Sequence, residues 1–202
     1  MSVHHLAGWR RRGSGERATY SAHCSQHESE LLRSIVTSMC ELLTERADSA
    51  PVDDLSALTG IASGHSVAPQ DATLGRLLPD FHRPDQDEEL GCDAVNGDLN
   101  GALRSINEPL IIDDKLAAAH CLLDTVPVGG GEITLTAAQA DQWLTAINDV
   151  RLSLGAMLGI SEDTPEELAP DHPYAAHLHV YRWLTEQQWI LVEEMMGSGE
   201  GR

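Results

Sequence analysis

Aromatic side chains are scarce in this 202-residue chain, at 4% with a single phenylalanine. Hydrophobic residues still reach 42%, enough for a globular core, which must therefore be aliphatic and built on Leu, Ile, Val, Ala and Met. Long apolar runs are missing as well. None approaches the roughly 20 residues of a membrane-spanning helix. No apolar stretch precedes the arginines of the N-terminal MSVHHLAGWRRRGSG, as a secretory signal would require. A cytoplasmic protein without a membrane segment is expected. Cysteine is sparse too, at Cys24, Cys40, Cys92 and Cys121. With no CxxC and no paired metal spacing, these residues are expected as free thiols, without a structural zinc.

Positive charge is the other shortage. Thirteen Lys and Arg face 32 Asp and Glu, a net charge of −19. Arg10, Arg11, Arg12 and Arg17 all lie within the first 20 residues, against the single acid Glu16, so the remainder is more acidic still. Such a surface repels phosphate, and non-specific nucleic-acid affinity comes mostly from phosphate neutralisation. Direct DNA binding by the body of the protein is therefore expected to be weak. A basic protein partner fits better, and an acidic surface that only aids solubility is the plainer alternative. Arg10, Arg11 and Arg12 remain a possible nucleic-acid arm.

What is present is mostly helical periodicity. RATYSAH, after a Gly/Ser break, predicts one short strand. Ser25 and Glu28 stand at capping-box spacing ahead of a helix to about Arg46, with Leu31, Leu32, Ile35, Met39, Leu42 and Leu43 on one broad face. Pro51 opens a short helix that Gly60 ends, and DATLGRLLPD predicts one or two helical turns stopped before Pro79. FHRPDQDEELG is a charged loop. The stretch from Asp93 to Pro127 reads as two helices, because Asn107 resembles an N-cap and Pro109 an early helical residue. GEITLT is a second short strand able to pair with the first. Thr136 and Gln139 then cap a helix through QWLTAINDVRLSLG, and a last helix runs from Pro173 to about Met196. The expected fold is mainly α, a single multi-helix domain over 17–196 with at most one short two-stranded hairpin. A flexible basic arm over 1–16 and a flexible tail over 197–202 flank it.

The polar phrase Asn148-Asp149-Val150-Arg151 interrupts an apolar helix. At about 100° per residue, Trp143, Ile147, Val150, Leu154, Met157 and Leu158 form one stripe with Arg151 on its edge. Asp149 falls roughly 160° away from Arg151, so the two cannot pair. Arg151 should find a carboxylate on the preceding helices, with Glu108 and Asp113 as candidates. Asn148, Asp149 and Arg151 are thus expected as a structural polar brace, with an anion pocket around Arg151 as the rival. On the brace reading, Arg151→Ala costs about 1–3 kcal/mol and Asp149→Ala less.

Enzyme signatures fail. The GGG at 129–131 lacks the Lys-Ser/Thr of a phosphate loop, and no G-x-S-x-G occurs. Neighbouring acids such as Asp113-Asp114 and Glu193-Glu194 diverge by about 100° on a helix. His177-x-His179 and the pair His23/His27 read as surface histidines rather than metal ligands. A helix-turn-helix is poorly supported, since its two candidate segments are about ten residues apart where three or four are needed. No catalytic residue, metal or cofactor is expected. Among the thiols, Cys24 and Cys40 are held apart by about 21 Å of helix. Cys92 and Cys121 come level only if the two helices around Pro109 fold back on each other; in line they stand about 44 Å apart. They are the redox candidates.

Five phrases in order carry a likeness: LTGIASGH, LGRLLPDFHRPD, NGALRSINEPLIIDDKLAAAHCLLDTVP, WLTAINDVRLSLG and YRWLTEQQWILVEEM. Together they resemble the actinobacterial AosR-like proteins, long described as a domain of unknown function, over roughly Ser25 to Met196. The resemblance implies a cytoplasmic, mainly helical protein. It also implies an oxidative-stress-responsive transcription regulator that works with a sigma factor and raises expression of cysteine-biosynthesis genes. No functional cysteine is carried over from that family. The combined expectation is a non-enzymatic regulator whose thiol state alters a protein–protein surface, with a sigma factor or RNA polymerase component as partner by resemblance. A constitutive helical adaptor with incidental cysteines is the alternative, and an enzyme built on Arg151 comes last.

Overall fold

A computed structural model of the chain describes residues 7–51, 63–81, 93–161, 163–165, 168–169 and 171–197. Strand β1 (Ala7–Arg12) turns through a single 3-10 turn into β2 (Thr19–Cys24), and α1 (Gln26–Asp48) follows at once. Then come α2 (Ala72–Leu77), α3 (Asp93–Thr125), β3 (Gly131–Thr136), α4 (Ala137–Leu158) and α5 (Ala175–Met196). The domain is mainly α, as the periodicity requires. The helix expected after Pro51, most of the charged loop after Phe81, and the tail beyond Gly197 lie outside the described residues.

Both capping boxes form. Ser25 and Glu28 exchange side-chain and backbone hydrogen bonds at the start of α1, and Thr136 and Gln139 do the same for α4. Burial also refines the core face of α1, to which Val36 and Cys40 belong, whereas Leu42 turns outward.

The sheet has three antiparallel strands in the order β1-β2-β3, one more than the expected hairpin. β2 pairs with β3 from Thr19↔Thr136 to Cys24↔Gly131. The extra strand comes from the supposed flexible arm, which from Ala7 onward is an edge strand with Arg10↔Ser21 and Arg12↔Thr19 in register. Strand alternation explains why an arginine-rich stretch can do this. Trp9 points inward and is buried, while Arg10 and Arg12 point out. The inner face of Trp9, Tyr20, Ala22, Cys24, Ile133 and Leu135 lies against the helices. Trp9 meets Trp143 of α4 edge-on at 5.3 Å between ring centroids, and the Trp143 indole N–H donates to Thr125 Oγ1 at 2.7 Å.

α4, the helix of the INDVR phrase, is the centre of the domain. It packs against α1, α2, α3, α5 and strands β2 and β3.

The break expected near Ile106–Glu108 does not occur: α3 is continuous with Pro109 inside it. A proline in a helix interior removes one N–H, here the one that would reach the carbonyl of Ser105. That carbonyl accepts instead from the backbone N–H of Gly64, at 2.7 Å. Asn107 does not cap; its amide donates back to the Leu103 carbonyl at 2.8 Å. The repair depends on close approach, because a Cβ on Gly64 would stand 2.8 Å from Pro109 Cδ and 3.0 Å from its Cγ. Gly64→Ala is therefore expected to cost about 1–3 kcal/mol in urea denaturation through overpacking against a rigid ring. Adding Pro109→Ala should recover most of that loss, since it removes the ring and restores the helical N–H. An unchanged midpoint in Gly64→Ala would refute the repair.

Candidate functional site

Two charged clusters are built into the helix interfaces. The first centres on Glu108 of α3, which is only 1% exposed, as is Arg104 one turn earlier. Arg46 at the end of α1 grips Glu108 with Nε to Oε1 at 2.8 Å and Nη2 to Oε2 at 3.3 Å. Arg104 Nη1 donates to the same carboxylate at 2.8 Å and to the Leu78 carbonyl at 3.0 Å. Its Nη2 reaches the Pro79 carbonyl at 3.2 Å and Asp80 Oδ1 at 2.9 Å, while Phe81 packs its ring 5.7 Å from the guanidinium. Arg46 Nη2 also donates to the Val67 carbonyl at 2.7 Å. One carboxylate thus ties α1, α3 and the segment after α2 together. Sequence reading offered Glu108 to Arg151 instead. The overlooked signal was the i,i+4 spacing of Arg104 and Glu108, which places both on one face of a helix.

The second cluster reverses the roles expected of INDVR. Asp149, taken as the outward residue, is buried at 3% and accepts from Lys115 Nζ of α3 at 2.7 Å. Burial raises its carboxyl above the ordinary value, while the hydrogen bond and charge of Lys115 pull it back down. Its Oδ2 has no hydrogen-bond partner among the described residues. Arg151, expected to meet a carboxylate, meets neither Glu108 nor Asp113. Nε donates to Thr185 Oγ1 at 2.9 Å, Nη1 contacts Gln188 Oε1 and Asn148 Oδ1, and the guanidinium lies 5.5 Å from the Tyr181 ring centroid. Its wheel position was right, but the neighbouring helix α5 presents amides and hydroxyls there. Asp149 thus contacts α3 through Lys115, while Arg151 contacts α5 and Asn148, so the phrase faces two different neighbours rather than one.

The thiols are shielded. Cys24 is pushed up to about 12 by burial and secondarily by Glu28. Cys40 is raised by burial, opposed by a backbone hydrogen bond and aided least by Glu41, and Cys121 is raised by burial and then Asp124. Peroxide reacts with thiolates, so all three are slow targets at neutral pH. Cys92 lies outside the described residues. Its chain neighbour Asp93 begins the continuous α3, which also contains Cys121. At 1.5 Å per residue these positions are about 42 Å apart, and a disulfide needs Cα atoms within about 7 Å. α3 is thus continuous through Pro109 rather than folded back on itself, and the expectation that Cys92 pairs with Cys121 lies outside the described residues.

The arginines of β1 divide by strand parity. Arg10 and Arg12 stand exposed on the outer sheet face beside Ser21 and His23, with Glu132 opposite. Arg11 turns toward α5, and its backbone N–H donates to Glu194 Oε2 at 3.0 Å.

Elsewhere an open groove between α1 and α3 is lined by Thr37, Cys40, Glu41, Glu45, Asp48 and His120. Its acids repeat along one face of α1, and its one thiol, Cys40, is raised by burial, which describes a solvated acidic face rather than a reactive site. Among the described residues no three His, Cys, Asp or Glu side chains are grouped to hold a metal ion. No helix among them is long and apolar enough to cross a membrane.

Comparison with known proteins matches residues 6–195 to the family described as a domain of unknown function, DUF2017. The oxidative stress regulator AosR of Mycobacterium tuberculosis (strain ATCC 25618 / H37Rv) is 46% identical over 192 residues, covering 94% of this chain and 88% of the relative. The protein of the same name from Mycobacterium bovis gives the same figures. The putative oxidative stress regulator AosR of Mycobacterium leprae (strain TN) is 42% identical over 193 residues, again covering 94% and 88%. No solved structure matches the chain.

Proposed function

From the premise that this chain belongs to the DUF2017 family, together with the oxidative stress regulators AosR, we propose that it is a non-enzymatic regulator of the oxidative stress response that acts by binding a protein partner. The observation that carries this reading is where the charged chemistry goes. The charges of Glu108 with its two arginines, and of Asp149 with Lys115, are paired across helix interfaces, although Arg46 and Glu108 also form part of the wall of a cleft beside Gly64, His65 and Asp113. Arg151 is likewise occupied by α5 side chains, which works against an anion pocket. What the chain offers to other molecules is its surface, and with a net charge of −19 that surface suits a basic protein. By family resemblance the partner is a component of the cytoplasmic transcription machinery, a sigma factor or RNA polymerase subunit.

The test is the transcript response to peroxide in a strain lacking the gene, with and without the gene restored. A set of peroxide-induced transcripts should fail to rise in the deletion strain and recover on complementation. Identical responses in all three strains would end this reading.

One feature favours the adaptor version, in which the cysteines are incidental: burial raises the pKa of Cys24, Cys40 and Cys121, which works against thiolate formation. A complementing gene with Cys121→Ser should then restore the response fully.

The proposal also limits direct DNA contact. The protein alone should bind duplex DNA weakly at physiological salt, through Arg10 and Arg12. In fluorescence anisotropy, Arg10→Ala/Arg12→Ala should weaken what binding exists and lower the magnitude of the salt slope by about 2. Tight sequence-specific binding by that variant would count against regulation through a protein partner.

A further inference from the structure

Three of the four tryptophans, Trp9, Trp143 and Trp183, are buried in the core, but Trp189 on α5 is 60% exposed. One turn to either side on the same helix face stand Glu186 and Glu193, with Met196 beyond, all exposed. Neither carboxylate takes part in the ion pairs formed among the described residues. From Trp183 onward the side of α5 turned away from Trp189, with Trp183, Leu184, Gln187 and Leu191, is buried against the domain, so among the described residues the stripe from Glu186 to Met196 is free of the chain's own packing.

We propose that this face of α5, with Trp189 at its centre and Glu186 and Glu193 beside it, is the docking surface for an arginine-bearing segment of a basic partner protein. The assignment rests on the partner-binding reading above and names the surface it uses. Charge complementarity selects the occupant. A guanidinium can lie flat on the indole face while its planar donors reach a carboxylate, a combination that an ammonium matches less well. The stem of the arginine, an apolar chain of methylenes, packs on Trp189 and Met196. A second copy of this chain is a poor occupant, because each copy carries −19 and would bring like charges together. A nucleic acid is repelled by the same carboxylates. A purely apolar partner would cover Glu186 and Glu193 without pairing them, which opposes binding. The two carboxylates are seven residues apart, about 10 Å along the helix, so arginines two helical turns apart on a partner helix reach both.

The test uses the full-length protein and a synthetic helical peptide with arginines at positions i and i+7 on an Ala/Gln background, at physiological salt. Binding is read by titration calorimetry and by Trp189 fluorescence. Trp189→Ala and Glu186→Gln/Glu193→Gln should each weaken binding by about tenfold or more, as expected for central anchors. A peptide with lysine in place of arginine should also bind more weakly. The control, Glu41→Gln/Glu45→Gln on the exposed face of α1, removes the same charge and should change affinity by less than about twofold. All these positions are exposed, and circular dichroism melts confirm that the variants fold. No binding by the wild type, no loss in Trp189→Ala, or an equal loss in the α1 control would each overturn the assignment. These outcomes are separable from failure of the regulatory reading, which is scored by the transcript response of the deletion strain.

Discussion

Glu108→Ala is expected to lower the unfolding free energy by about 3–5 kcal/mol, the scale for removing one member of a buried ion cluster. Glu108 receives Arg104 and Arg46, both at 2.8 Å. Without it, Arg104 keeps Asp80, whose side chain is 51% exposed, while its own remains 1% exposed. The guanidinium would then be buried against carbonyls and one solvated carboxylate, a poor replacement for a fixed and desolvated one. Arg46, at 12% exposure, is left with the Val67 carbonyl. Glu108→Gln keeps an oxygen acceptor but loses the charge, so it should fall between wild type and Glu108→Ala. Arg104→Met/Glu108→Leu removes both of the fully buried partners and should be less damaging than Glu108→Ala alone, because only the partly exposed Arg46 then lacks its carboxylate. Urea denaturation with circular dichroism detection gives the ranking. A Glu108→Ala loss under about 1 kcal/mol would mean the cluster is solvated rather than buried.

How legible the molecule was depends on whether a feature is local in the chain. The capping boxes at Ser25 and Thr136, the strand at Thr19–Cys24 and the helix through INDVR all follow from residues within one turn of each other. β1 was missed because its one apolar anchor is Trp9; an edge strand with exposed arginines is recognisable only once Trp143 is there to receive that ring. The break expected at Pro109 failed for a similar reason. Proline signals a missing N–H, but whether a helix ends there depends on what else can satisfy the carbonyl, and Gly64 lies more than 40 residues away. The candidate site shows the same limit. The helical wheel placed Arg151 correctly at the core edge, yet a wheel cannot say whether the neighbour offers an acid or an amide. It also treated the side of the stripe opposite Arg151 as solvent, whereas α4 is central and has neighbours nearly all round. Asp149 therefore looked peripheral in a wheel drawn for a surface helix. The exposure of Trp189 was equally hidden, since the last helix reads as apolar on almost every side.

Asp149→Ala is the second large effect, expected at about 2–4 kcal/mol, and it should exceed that of Arg151→Ala, reversing the order that the sequence alone suggests. Lys115 has a side chain only 16% exposed and its ammonium is held by Asp149 Oδ1 at 2.7 Å; alanine would leave that charge largely covered and unpaired. Arg151→Ala loses hydrogen bonds to Thr185 and Gln188 and its packing over Tyr181. Its partners lie nearer solvent and rehydrate, so about 1 kcal/mol is expected. The pH dependence gives a second, independent reading. Burial raises the Asp149 carboxyl above its ordinary 3.8 despite the opposing pull of Lys115. Between that value and the raised one, the folded state binds more protons than the unfolded state. The contribution of this group to stability therefore falls as pH rises through the window, and grows as pH falls through it. Asp149→Asn cannot titrate, so it provides the reference. The stability of wild type relative to Asp149→Asn should increase on acidification from neutral pH toward 3.8, even as other carboxylates make the whole protein less stable. Denaturation curves at matched pH values would show it. A gap that moves the opposite way, with wild type losing ground to Asp149→Asn as pH falls, would mean that Lys115 rather than burial dominates at Asp149.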